Sequence, residues 1–179
     1  MQKTKLISRV LASAMLSLTL MAISEQVVQG RLKFVSLTRT TCVGSGPGRW
    51  RPNTVDVAIG RAVYESVMNL SPSNGSATVT CRIKQEDSEP LFHTLQLDFG
   101  MLDTDTMSPP NIVNVYLDGQ QVVTRRVGPS QSASLSLNVS NVSNVSIETV
   151  CGSQSEYCGR VYFYKADLER IPQQRGRNK

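Results

Sequence analysis

"LFHTLQLDFG", residues 91–100, places Leu91, His93, Leu95, Leu97 and Phe99 on one side and Thr94, Gln96 and Asp98 on the other. Side chains alternate across a strand with period two, so this stretch reads as a strand with one face in a core and one in water. Downstream, "IVNVYLDG" sets Val113, Val115 and Leu117 opposite Asn114 and Tyr116 and ends in Asp118-Gly119, a favoured two-residue hairpin turn. "QQVVTRRV" returns from that turn, and "RVYFYKADL" closes the series. Upstream, "TVDVAIG" alternates through Val55, Val57 and Ile59, and "ATVTCRI" through Ala77, Val79, Cys81 and Ile83. No window beyond residue 54 sustains a helical stripe. Short strands divided by turn signals predict an all-β sandwich over residues 54–168.

Between those strands lies "LSLNVSNVSNVSIETVC", residues 135–151, in which Asn-Val-Ser occurs three times. A period of three suits neither strand nor helix, and the triplet does not continue as a solenoid unit would. Leu135, Leu137 and Val139 form one alternating face and Val145, Ile147, Thr149 and Cys151 another. Ser140–Asn144 is then the connection, with Val142 as its apolar plug. Asn138, Asn141 and Asn144 each head an N-x-[ST] sequon, as do Asn69 and Asn74, which matters only where the host glycosylates exported chains.

The chain begins with Lys3, Lys5 and Arg9 and an apolar run from Val10 to Ile23, too short for a membrane span and suited to a signal-peptide core. Residues 1–30 are therefore expected to be a signal peptide cleaved after Ser24 or Gly30, and the protein secreted, periplasmic or extracellular. The net charge of +5 is concentrated at the ends. Residues 31–168 carry as many acidic as basic side chains, so the body offers no basic stripe for nucleic acid. The basic end "ERIPQQRGRNK", residues 169–179, reads as a solvated, disordered tail.

Cys42, Cys81, Cys151 and Cys158 are an even set in an exported chain and predict two disulfides. Three pairings are open; the short loop "CGSQSEYC" favours Cys151 with Cys158, leaving Cys42 with Cys81. Four thiolates around zinc would need two close pairs, and only one exists.

Chemistry-bearing residues are sparse. The Gly-rich "CVGSGPGRWRPN" lacks the Gly-Lys-Ser/Thr and following helix of a phosphate loop. Residues 31–53 read as an irregular lead-in, with Trp50 covering the core edge or exposed near a binding surface. The single histidine, His93, sits on an apolar strand face without a nucleophile motif and reads as structural. Asp98, Asp103, Asp105, Glu148 and Glu156 show no spacing that marks a glycosidase pair, and no catalysis is expected. Asp103 and Asp105 in "LDTDT" offer hard oxygen ligands that leave calcium open, with no other cofactor implied. Tyr162 and Tyr164 share a parity with Ala166 and Leu168 and read as core aromatics with rim hydroxyls.

Taken in order, "LFHTLQLDFGMLDTD", "VNVYLDGQQVVTRR", "LNVSNVSNVSIETVC" and "CGRVYFYKADL" resemble the NPCBM type of carbohydrate-binding module, described beside family 98 glycoside hydrolases. The matching positions are Phe99, Gly100, Leu102 and Asp103; Val115, Asp118 and Gly119; Leu137, Val139, Val142 and Val145; and Ala166 with Leu168. The resemblance runs from Val55 to Leu168 and implies a jelly-roll sandwich of the galactose-binding-like kind. The family's aromatic-rich opening and its Asp-His-x-x-Trp in the last strand are absent here.

The expectation is an exported, non-catalytic module that binds a cell-wall or extracellular glycan. Its candidate ligand residues are Trp50, Arg51, Asp103, Asp105, Tyr157 and Arg160, since flat rings cover sugar C–H faces while charged and amide groups bond the hydroxyls. The alternative is a structural or protein-interaction sandwich of the cell envelope, with a protein partner in place of the sugar.

Overall fold

The computed structural model describes residues 33–85, 88–153 and 157–172. Their strands are β1 Phe34–Ser36, β2 Thr41–Ser45, β3 Arg49–Ile59, β4 Ala62–Ser71, β5 Ser76–Arg82, β6 Phe92–Gly100, β7 Asn111–Leu117, β8 Gln120–Val127, β9 Ser132–Asn138, β10 Asn144–Cys151 and β11 Val161–Arg170. They form two antiparallel sheets, one ordered β3-β4-β11-β6-β9 with β1 also on β11, the other ordered β2-β5-β10-β7-β8. This is the all-β sandwich that the alternation implied, in the jelly-roll form that the family resemblance implied. Among the described residues, no helix is long and apolar enough to cross a membrane.

The core is made by the alternating sets. Leu95, Leu97 and Phe99 of β6 face Val113 and Val115 of β7, Val145 and Ile147 of β10, and Ala77 and Val79 of β5, all buried. Phe99 and Phe163 pack with ring centroids 5.1 Å apart. The triplet region divides as its pattern indicates: β9 ends at Asn138 and β10 begins at Asn144. Val142 plugs the connection against the core, its N–H donating to Val139 O at 3.1 Å. Asp118 and Gly119 both take positive φ, 47° and 82°, as a tight hairpin turn requires. The Asp118 carboxylate also accepts the backbone N–H groups of Ser143 and Asn144, tying that turn to the triplet loop.

Both disulfides are those favoured from spacing, Cys42–Cys81 and Cys151–Cys158. The first joins β2 to β5 at a directly paired position.

Several boundaries differ from expectation. Residues 33–53 are not an irregular lead-in: β1, a 3-10 turn at Leu37–Arg39, β2 and the start of β3 lie there. These are edge strands with few apolar positions, held by pairing and by the Cys42 crosslink, so alternation could not reveal them. The sandwich also runs past Leu168, because Glu169 pairs with Phe34 and its carboxylate meets Lys33 Nζ at 2.7 Å. The expected signal peptide and the tail from residue 173 lie outside the described residues. Of the sequons, Asn69 is closed off: it is 4% exposed in β4 and donates to Asn53 Oδ1 at 2.6 Å.

Two bulges redirect side chains. In β6 the pairing jumps from Thr94–Glu169 to Phe92–Arg170, so His93 is the extra residue and Phe92, not Leu91, turns into the core. His93 is half-exposed at that site, Nδ1 bonded to Thr94 Oγ1 at 2.7 Å and Nε2 3.7 Å from Glu169. In β11 the shift between Phe163 and Lys165 leaves Tyr164 extra, which breaks the expected parity with Ala166 and Leu168. Phe163 enters the main core, while Tyr162 and Tyr164 join a second cluster with Val57, Ile59, Tyr64 and Leu102.

That second cluster exists because the β3–β4 hairpin folds across the outer face of its own sheet. A bulge between Pro52 and Val55 re-aims β3, and Pro52 is tolerated because β3 is an edge strand. The hairpin tip then reaches over β11 and β6 to Asp103, whose carboxylate accepts the N–H groups of Gly60 at 2.6 Å and Arg61 at 2.9 Å. Gly100 makes the crossing possible: a Cβ there would stand 2.8 Å from Ile59 Cγ2 and 2.5 Å from Gln131 O.

Candidate functional site

The loops cluster at one end of the sandwich, away from β1 and the end of β11. This end carries the β2–β3, β4–β5, β6–β7, β8–β9 and β10–β11 connections, and every candidate ligand residue stands on or beside it. The β10–β11 loop is pinned most firmly. Its disulfide closes residues 151–158, and Cys158 N–H donates to Ser73 O at 2.8 Å. Gly159 N–H donates to Ser108 Oγ at 2.7 Å, and Asn111 Nδ2 donates to Gly159 O at 2.9 Å. A side chain at position 159 would collide with Asp105 Oδ2, so glycine lets the two loops close on each other.

Three of the six candidates meet here. Arg160 is exposed and donates from Nη1 to Tyr162 Oη at 3.5 Å. That hydrogen bond, with the neighbouring Tyr157 and Asp105, strengthens the hold on the Arg160 proton. Tyr157 presents its ring to solvent at 65% exposure. Asp105 is half-buried, and desolvation raises its carboxyl above the usual range, against the pull of the Arg160 charge. The result is a cation, an anion and an open aromatic ring on neighbouring loops, with Tyr162 beneath.

The other three play different parts. Trp50 is half-buried, packs on the main core and lies against Gly44, so it covers the core edge and is not an exposed platform. Asp103 is the hairpin anchor; hydrogen bonds from the Arg61 amide and from Ser130 lead in holding its carboxyl below the usual range. Arg51 is exposed on edge strand β3, paired with Asn69, which in turn pairs with Tyr162. It flanks the group from a strand two removed from that of Tyr162.

Both Asp103 oxygens are engaged by backbone amides of the β3–β4 turn. Among the described residues no three His, Cys, Asp or Glu side chains converge as a metal would need. The carboxylates are likewise dispersed: Asp98 meets Lys165 at 3.4 Å, and Glu148 accepts from Asn114 and Tyr116 on the outer face of the second sheet. Glu156 lies outside the described residues. Sequence reasoning missed Ser108, Asn111 and Gly159, which position the loop through hydrogen bonds between segments far apart in the sequence.

No family model and no curated protein matches the chain. Solved structures do. The chain superimposes on CBM51 from Clostridium perfringens GH95, in complex with methyl-galactose, with a TM-score of 0.58 at 13% identity, covering 75% of this chain and 99% of that one. It also matches CBM51-2 in complex with GlcNAc and INT domains from Clostridium perfringens ZmpB, with a TM-score of 0.61 at 12% identity. That match covers 76% of this chain and 31% of the other, so the sandwich corresponds to one part of a larger protein there. At such identities the likeness is one of fold. These neighbours are carbohydrate-binding modules with the same two-sheet sandwich.

Proposed function

We propose that this protein is an exported, non-catalytic module that binds a cell-wall or extracellular glycan at the loop end, through Tyr157, Arg160 and Asp105. The observation that carries the reading is the meeting of an exposed ring, a guanidinium and a partly desolvated carboxylate on loops locked by a disulfide. Tyr157 supplies the flat apolar surface, Arg160 donates to hydroxyl or ring oxygens, and Asp105 accepts from hydroxyls. Small-ligand sites typically combine such an apolar surface with a few convergent polar groups. The fold neighbours add support, being modules whose structures hold methyl-galactose and GlcNAc. Two disulfides fit the oxidising compartment that export implies.

A glycan-array screen of the folded, oxidised protein tests the reading, with Tyr157→Ala and Arg160→Ala beside it. Binding that both variants lose supports it. Absence of any binding by folded protein rejects it and turns attention to a protein partner. Met107, 93% exposed on the β6–β7 loop, would then extend the Tyr157 end as an apolar contact.

A further inference from the structure

At the opposite end of the sandwich, a cleft of about 520 Å³ opens between β1, β2, the end of β5, the start of β6 and the end of β11. Its apolar wall includes Val35, Ile83, Leu91 and Phe92, and four cations stand around it: Arg39, Arg82, Lys84 and Arg170. Glu89 is the one carboxylate among its described lining residues. None of the four cations has an ion-pair partner among the described residues, whereas Lys33, His93 and Lys165 all have one. Arg170 is held in place: its guanidinium carbon lies 5.5 Å from the Phe92 ring centroid, and its Nε is buried without a protein partner. A guanidinium stacked on a ring keeps its outer N–H edge free for a planar or tetrahedral oxyanion.

Like charges gathered around one cleft repel each other, and an anion seated among them relieves that repulsion. The volume lies in the range of small-ligand pockets and exceeds what a lone inorganic anion fills. The apolar wall suits the C–H face of a ring. From these features we infer a second ligand site, for a short acidic oligosaccharide carrying uronate or sulfate groups. It is distinct from the loop-end group in position and in charge. Arg82, Arg39 and Lys84 would pair with the acidic groups at the rim, and Arg170 with the one seated deepest.

The test is isothermal titration of the full, oxidised chain with a heparin-derived tetrasaccharide and an oligogalacturonate tetrasaccharide, against neutral cellotetraose and inorganic sulfate. The inference expects at least one acidic tetrasaccharide to bind, more tightly than sulfate and than cellotetraose, with affinity falling as salt is raised. Arg39→Gln and Arg82→Gln, both at exposed positions where folding is not at stake, should each weaken it tenfold or more. Tyr157→Ala should leave it unchanged. Glu86 and Asp87 follow Gln85 in the sequence and lie outside the described residues; neutralising them as Glu86→Gln/Asp87→Asn should leave affinity unchanged or raise it. No binding of either acidic sugar, binding indifferent to Arg39→Gln and Arg82→Gln, or binding lost with Tyr157→Ala or with the loop acids overturns the assignment.

Discussion

Asp103 shows how one side chain can look like a ligand residue and serve as a clasp. It lies in a loop beside Asp105, but its oxygens hold the Gly60–Arg61 turn across the sheet. Asp103→Asn is expected to lower the melting temperature and to speed amide exchange at Gly60 and Arg61. Because its folded carboxyl titrates below the ordinary range, the stabilisation is fully present above the ordinary aspartate value and fades as pH falls through the lower, folded one. The parent and the variant should therefore converge in strong acid, which melting curves across pH would check. Asp105 is shifted the other way, upward by burial. If it accepts a sugar hydroxyl, affinity should weaken in mild acid, and Asp105→Asn should abolish that pH dependence. Gly100→Ala is expected to cost about 1–3 kcal/mol in denaturant melts, since the new methyl meets both Ile59 and a backbone carbonyl. At this scale the sequence singled out Tyr157, Arg160 and Asp105, which the fold brings to one end, and left Trp50 open between covering the core edge and standing exposed. Residue type alone cannot say which way an edge-strand tryptophan turns.

At the scale of elements, what was legible followed burial. β6, β7 and β10 have one face in the core and one in water, so their alternation is clean. β1 and β2 are short edge strands in "FVS" and "TCVGS", where pairing and a crosslink replace the hydrophobic pattern. Bulges defeated parity at His93 and Tyr164, because one inserted residue reverses every assignment beyond it. Of the β3–β4 hairpin only the Val55–Ile59 strand was legible; β4 went unread, and the crossing of the outer face depends on a distant clasp and on a missing side chain at Gly100. The two crosslinks also differ in weight. Chain-entropy arithmetic assigns roughly 2.5 kcal/mol to the Cys151–Cys158 loop and about 4 kcal/mol to Cys42–Cys81. Cys151→Ser/Cys158→Ser should thus leave a folded sandwich with a modestly lower denaturant midpoint. If the loop presents the ligand residues, sugar binding should fall far more than stability does.

For the molecule as a whole, the sandwich is a scaffold with two chemically different ends. The loop end gathers a ring, a cation and an anion above a disulfide-locked turn; the end near β1 gathers cations around a cleft. The fold resembles that of sugar-binding modules at 13% identity or below, and a shared fold does not by itself carry a shared ligand. The most direct measurement is a glycan-array comparison of the oxidised protein with Tyr157→Ala, with folding of both checked by circular dichroism. The account predicts at least one glycan bound by the parent and lost tenfold or more by the variant. A folded parent that binds no glycan, or a variant that binds as the parent does, would contradict it.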